Sequence, residues 1–368
     1  MSIYLDNAAT MPIKECALNA MNEVYRNNWY NPSGYYTGSN VAKQTLEACR
    51  NSIASMINAE AEEIIFTSGG TESDNFALWG NRLPVISNIE HHAIKKISYE
   101  RLYLKCNEDG LITDKVFSDI KESLIPYCTI SVMMINNEIG TIQPIEEIAE
   151  YFHKYNAVVH TDAVQAVGHY QIDVKQLGVD MLSASAHKFG GPRGVGFIYI
   201  KKDYKDIIKA MMVGGGQEFG KRPGTENLPG IAGMEAALRE SVKNIDKNWI
   251  VIANLSSHMY ERVKKEIDNV SLNGSLEKRY PGNLNFCFHG VRGEQLLEML
   301  NQNDIYASSG SACNTGSDEP SHVLKAIGLS DEDANASIRF TLSENNTKEE
   351  IDKVVDVLKQ SVKILRGV

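Results

Sequence analysis

Between residues 42 and 200 the apolar residues repeatedly change period. Ala42, Leu46, Cys49, Ile53 and Met56 recur at helical spacing in AKQTLEACRNSIASMI. The run at 64–67 is a short buried strand, Gly69 and Gly70 make a tight turn, and 71–78 predict a helix. The same alternation returns further on. TISVMMI (129–135) predicts a strand and IEEIAEYFHKY (145–155) a helix. AVVHTDA (157–163), DMLSASA (180–186) and GVGFIYI (194–200) predict three more strands. Strands alternating with helices specify an α/β fold, a mostly parallel sheet covered on both faces. Ligands of such sheets lie beyond the carboxyl ends of the strands. Thr71, Asn137, Asp162 and Ser185 all fall near such ends.

After about residue 250 the texture differs. A strand entered through Pro281 and Gly282, the helix GEQLLEMLNQND, the strand ASIRFTLS and the amphipathic TKEEIDKVVDVLKQSVKIL predict a smaller α+β domain. We expect a large domain at 15–250 and a small one built from 1–14 and 251–368, without a Pro/Gly/Ser-rich linker. No apolar run approaches the length of a membrane span. MSIYLDNAATMP lacks the basic and then apolar regions of a signal peptide. The six cysteines are scattered and form no CxxC pair, so neither a disulfide framework nor a metal site is expected. A reducing, cytoplasmic setting fits this usage. A net charge of −10 argues against broad binding to a phosphate backbone, and no direct nucleic-acid binding is expected.

Several side chains have a second reading beside the ordinary one. Lys188, in SASAHKFGGPRGVG, is an ordinary solvated loop lysine if taken alone. It is also placed to be a Schiff-base lysine, and Ser185 and His187 before it could bind an anion such as phosphate. Asp162 ends an apolar strand, where it either caps the following helix or pairs with a buried cation. A pyridoxal phosphate enzyme needs such an acid against its ring nitrogen, and Gln165 is three residues on. In TSGGTES the turn offers backbone N–H groups and the Thr71 hydroxyl at a helix N-terminus, a phosphate site. His91 is either structural or an aromatic stacked on a planar cofactor.

Taken together, these features resemble the pyridoxal phosphate (PLP)-dependent cysteine desulfurases of the NifS/IscS class. The resemblance is carried in order by YLDNAAT, FTSGGTESDN, EHHA, NNEIGTIQPI, HTDAVQAVGH, SASAHKFGGPRGVG, GGGQEF, RPGTEN, SSGSAC, EPSHVLKAIGL and SIRFTL. It implies PLP fold type I, the aspartate aminotransferase architecture. It implies that Lys188 carries the cofactor, Asp162 pairs with the pyridine nitrogen, and Asn137 and Gln165 contact the ring hydroxyl. His91 would stack on the ring and shuttle protons. Gly70, Thr71, Ser185 and His187 would hold the phosphate. Thr225 would reach the phosphate of the other subunit of a homodimer. Arg339 would clamp the carboxylate of L-cysteine, and Asn7 would line the substrate side. Cys313 would be the nucleophile that takes the substrate's sulfur and hands it to an acceptor protein for iron–sulfur or thio-modification chemistry. The resemblance also leaves open a selenocysteine lyase, a cysteine sulfinate desulfinase, an aminotransferase of the same fold, or a sulfur-relay scaffold. Phe219 departs from the family, which usually has arginine there. We expect a buried side chain, with an exposed partner contact as the alternative.

Overall fold

The computed structural model describes residues 2–367 apart from 81–82, 98–99, 125, 206–207 and 310–318. Among these residues the strands are β1 (Ile3–Tyr4), β2 (Ile64–Thr67), β3 (Val85–Ser87), β4 (Leu102–Leu104), β5 (Thr129–Ser131), β6 (Val158–Asp162), β7 (Met181–Ser185), β8 (Gly196–Ile200), β9 (Val270–Leu272), β10 (Asn283–Phe288), β11 (Ile305–Tyr306) and β12 (Ser337–Thr341). Seven make one sheet in the order β2-β8-β7-β6-β5-β3-β4. β7, β6, β5, β3 and β4 pair in parallel, whereas β8 runs antiparallel to both β2 and β7. The short loop between β7 and β8, residues 186–195, is too brief for the crossover that a parallel pair requires, so the chain must reverse.

Both faces of this sheet are buried, and the side chains alternate between two cores. Phe197 and Tyr199 of β8 enter one core with Leu182, Ala184, Ile64 and Phe66. Ile198 and Ile200 enter the other with Ile65, Met181 and Phe76. That period of two across adjacent strands explains why the sequence reads as unbroken apolar runs. Each large apolar side chain removed from water contributes about 1.5–3 kcal/mol.

A third core lies around the sheet β12-β10-β9 and the helices Gly293–Gln302 and Lys348–Arg366. The helix Leu228–Glu266 joins it to the first core. Ile231 to Leu238 pack in the first, and Ile252 to Val263 in the third. Residue 250 lies inside this helix, so the change of texture there is a change of packing partner along a continuous rod. The N-terminal residues Ile3 and Leu5 also enter the third core, with β1 parallel to β11. No helix among the described residues is long and apolar enough to cross a membrane.

Element ends differ from the sequence expectation in places. The strand expected over 129–135 ends at Ser131 as a regular element: Val132 N and Met134 N still donate to the His160 and Asp162 carbonyl oxygens of β6 at 3.2 and 2.9 Å, whereas Met133 N, between them, donates to the Glu90 carboxylate at 2.8 Å. The helix that contains Ala42 to Met56 begins earlier than expected, at Thr37. The expectation for Phe219 is corrected: its side chain is 50% exposed. The neighbouring Glu218 takes the interior place. Its carboxylate accepts from Arg50 Nη1 and Nη2 at 2.8 and 2.7 Å and from Phe66 N at 2.8 Å. The tight turn that this requires gives Phe219 a φ of +58° and turns its ring outward, 4.6 Å from Lys205 Nζ and 5.1 Å from the Arg50 guanidinium carbon.

Gly196 on β8 lies directly beneath the turn at Gly69. A Cβ there would overlap the Ala184 carbonyl oxygen and stand 2.7 Å from Gly69 Cα. Gly196→Ala is therefore expected to cost about 1–3 kcal/mol through overpacking. The same change should loosen the turn after β2. Thermal melting and an absorbance titration with PLP should show both a lower melting temperature and weaker cofactor binding.

Candidate active site

The carboxyl ends of β2, β6 and β7 open into one cleft of about 400 Å³. Its walls include Gly70, Thr71, His91, Asn137, Asp162, Gln165, Ser185, His187, Lys188 and Arg339, so residues spread over most of the chain converge. Met133 and Ala8 and Ala9 of the N-terminal segment complete the lining.

Asp162 is the last residue of β6 and is buried. Its Oδ1 accepts from Val164 N at 2.9 Å. Burial pushes its carboxyl up to about 6, and Lys188 and the Val164 hydrogen bond pull in the opposite direction. Asp74 and Glu90 stand behind it, also buried. Burial raises both, Glu90 to about 8, and the proximity of Asp162 adds to each rise. Asp74 Oδ1 and Glu90 Oε2 have no hydrogen-bond partner. Asp162 is thus the member of this buried carboxyl group that ionises first, and a bound positive charge beside it would favour that ionisation.

Lys188 follows β7 in a short turn, Ala186–Lys188. Its Nζ donates to the carbonyl oxygens of Ala8 at 2.6 Å and Ala9 at 2.9 Å. His169 Nε2 is 2.7 Å from the Lys188 carbonyl oxygen and steadies the turn from behind. Burial and the nearby Lys188 lower the basicity of His91. Its Nδ1 accepts from Ala93 N at 3.2 Å, which leaves the proton of the neutral ring on Nε2. His187 is likewise kept neutral, lowered to about 4 by burial and then by Lys188 and Arg193.

The turn after β2 is shaped for close approach. Gly69 has φ +145°, and a Cβ on it would meet Ser185 Oγ at 3.4 Å. A Cβ already added to Gly70 would lie 2.6 Å from Val164 Cγ2. Backbone N–H groups at the start of the helix Gly70–Leu78, the Thr71 and Ser185 hydroxyls and the His187 ring form an anion cradle. An anion cradle, a lysine and a buried acid in one cleft fit PLP: its phosphate, its aldehyde carbon and its basic ring nitrogen.

Arg339 reaches the cleft from β12. Nη1 donates to the Asn137 carbonyl oxygen at 3.0 Å and Nη2 to Asp6 Oδ1 at 2.6 Å. Nε is buried and has no partner. The edge made by Nε–H and the second Nη2–H remains available for a carboxylate. Asn7 does not line this cleft. Its Nδ2 donates to the Thr341 carbonyl oxygen at 2.7 Å, and its side chain faces an adjoining cavity with Tyr280 and His169. Thr225 is exposed and apart from the cleft walls. Cys313 lies outside the described residues.

The model of the family described as aminotransferase class-V matches residues 3–354. The chain belongs to the class-V aminotransferase family. It is 41% identical to the cysteine desulfurase IscS of Clostridium botulinum, over 98% of this chain and 94% of that protein. It superposes on a solved NifS-like protein with a TM-score of 0.90 at 30% identity, covering 99% of this chain and all of the other. A structure of SspA in complex with cysteine gives 0.81 at 30% identity, covering 94% of this chain and 100% of that one. PLP is the cofactor of this class-V aminotransferase, and the architecture is that of fold type I.

Sequence reasoning did not assign roles to Asp6, Asp74, Glu90 or Glu138, or to the carbonyls that receive Lys188. Each lies inside a motif already quoted, so the signal was the motif itself.

Asp162→Asn should separate stability from binding. The Asp162 carboxyl is raised in the folded chain, so its contribution to stability is present below the unfolded value near 3.8 and lost as pH rises through about 6. At pH 8 the cofactor-free variant should be more stable than wild type, on the order of 3 kcal/mol. The difference should vanish in acid, and PLP affinity should fall. Melting curves of the cofactor-free proteins at pH 8 and pH 4 check this.

Proposed function

We propose that this protein is a PLP-dependent cysteine desulfurase, which converts L-cysteine to L-alanine and leaves the sulfur as a persulfide on Cys313. The observation that carries the reading is where the segment holding Cys313 begins and ends. Ser308 exchanges backbone hydrogen bonds with Arg339, at 2.7 and 3.2 Å. Ser321 donates to Glu138 at 2.5 Å, next to Asn137. Both anchors stand at the cleft. Cys313 is five residues beyond Ser308. At about 3.3–3.6 Å per residue it is within reach of a substrate held by Arg339.

Bound PLP supplies an electron sink for bond changes at the α and β carbons of the substrate. Asp162 would keep a proton on the ring nitrogen, Asn137 and Gln165 would contact the ring hydroxyl, and the Gly70–Thr71 turn with Ser185 and His187 would hold the phosphate. The Nε and Nη2 edge of Arg339 fixes the substrate carboxylate. Lys188 Nζ would hold the cofactor and move the α proton. The neutral His91 ring would stack on the cofactor and offer its Nε2 proton. Cys313 Sγ, as thiolate, attacks the substrate sulfur. The S–S bond forms as the Cβ–S bond breaks, the electron pair stays on carbon, and protonation there completes alanine. One thiol and one cysteine give one persulfide and one alanine, and the outer sulfur passes to an acceptor protein.

We extend the reading to assembly. The chain works as a homodimer in which Thr225 completes the phosphate site of the other subunit, in the cytoplasm. The division into 15–250 and 1–14 with 251–368 assigns the cofactor to the larger part and the Cys313 segment to the smaller.

Purified holoenzyme given L-cysteine and a reductant should release alanine and sulfide in equal amounts. Cys313→Ser should bind cysteine and make almost no alanine, and full alanine production by that variant would refute the assigned nucleophile. Arg339→Ala should lower kcat/KM roughly 10–100-fold, as expected for loss of charge-assisted hydrogen bonds, mainly through KM. Steady-state kinetics on alanine release measure it.

A further inference from the structure

Outside the cleft, a second cluster of reactive side chains forms where β10 ends. Cys287 is on β10, His289 lies just past it, and Asp333 is on the helix Asp331–Asn335 that leads into β12. They are 46 residues apart at the extremes, which hid the cluster from a search for paired cysteines. Cys287 Sγ is 3.5 Å from His289 Nδ1 and 3.7 Å from Asp333 Oδ1, and those two atoms are 2.6 Å apart. The Asp333 carbonyl oxygen is also 3.3 Å from the sulfur.

An ion pair between His289 and Asp333 accounts for the shortest contact. It does not account for the sulfur. A thiol has one proton, and here three polar atoms crowd it. A cation among the three side-chain atoms would satisfy them all. With zinc bond lengths of about 2.3 Å to sulfur and 2.0–2.1 Å to nitrogen or oxygen, a tetrahedral site has S–N and S–O edges of about 3.5 Å and an N–O edge of about 3.3 Å. Two of the three edges are already present, and the third needs to open by about 0.7 Å.

The surroundings hold each ligand in place. Ser271 Oγ is 3.0 Å from His289 Nε2, so it can accept a hydrogen bond from the proton that a ring ligating through Nδ1 keeps on Nε2. Ser330 Oγ donates to Asp333 Oδ2 at 3.0 Å, and Ser337 Oγ to the Asp333 carbonyl oxygen at 2.7 Å. His289 and Asp333 are about one-third exposed, which gives an entry path, whereas Cys287 is fully buried.

We propose that Cys287, His289 and Asp333 bind one divalent ion of the zinc class, with water in the fourth position. A thiolate, imidazole and carboxylate in tetrahedral array select zinc over the hard cations. Binding releases the thiol proton, so affinity rises with pH. The ion ties the helix Asp331–Asn335 to β10. Cys287 is the register partner of Ser337, two residues before Arg339 on β12, so the clip braces the strand that carries the substrate clamp.

The test uses chelator-treated holoenzyme carrying Cys313→Ala, to remove the Cys313 thiol. Titration with Co²⁺ should give one ion per chain, the intense visible bands of a tetrahedral site and a thiolate-to-cobalt band. Zn²⁺ should displace the Co²⁺ and raise the melting temperature. Cys287→Ser should abolish the thiolate band. His289→Gln, at a partly exposed position, should weaken binding at least tenfold even if the cysteine variant fails to fold. Ser271→Ala should weaken it roughly 10–100-fold. Absence of a tetrahedral spectrum, or binding indifferent to His289→Gln, would overturn the proposal.

Discussion

A carboxylate at the buried end of a strand has to meet a cation, and the cleft of this protein is arranged around that requirement. Asp162 is fixed by the register of β6 between β5 and β7. Its burial disfavours the ionised form, and its charge in turn raises the carboxyls of Asp74 and Glu90 behind it. Lys188 beside it offsets only part of this. The remaining imbalance is what a protonated ring nitrogen would relieve. Selection for a PLP enzyme thus leaves a physical trace: an apo cleft that is unfavourable by itself and improves when the ligand arrives.

The second organising element is the N-terminal segment. Asp6 holds Arg339, while the carbonyls of Ala8 and Ala9 hold Lys188. One short stretch therefore positions both the proposed substrate clamp and the proposed cofactor lysine. It belongs by packing to the third core, through Ile3 and Leu5.

The sheet was legible because both of its faces are buried. Strands such as 64–67 and 196–200 then read as apolar runs, and an aspartate or lysine at their ends stands out. Lys188, Asp162 and Arg339 owed their roles to motif resemblance, and the fold brings them to one cleft. Contacts across large separations were not legible. The Asp6–Arg339 pair spans 333 residues, and nothing near either side chain signals the other. Asp74 and Glu90 carry no sequence signal of their own, because burial of a carboxylate depends on what packs over it. Phe219 misled for a similar reason: an aromatic suggests the core, but the Arg50–Glu218 pair occupies the interior there. The helix through residue 250 could have been anticipated, since no glycine or proline interrupts 234–273.

The most direct test is a single turnover. Holoenzyme would be mixed with one equivalent of L-cysteine without reductant, digested, and each cysteine peptide weighed. The account predicts that the peptide containing Cys313 gains the mass of one sulfur atom, with one alanine formed for each persulfide. Sulfur found on Cys49, Cys106 or Cys287 instead, or alanine formed with no sulfur on the protein, would contradict it.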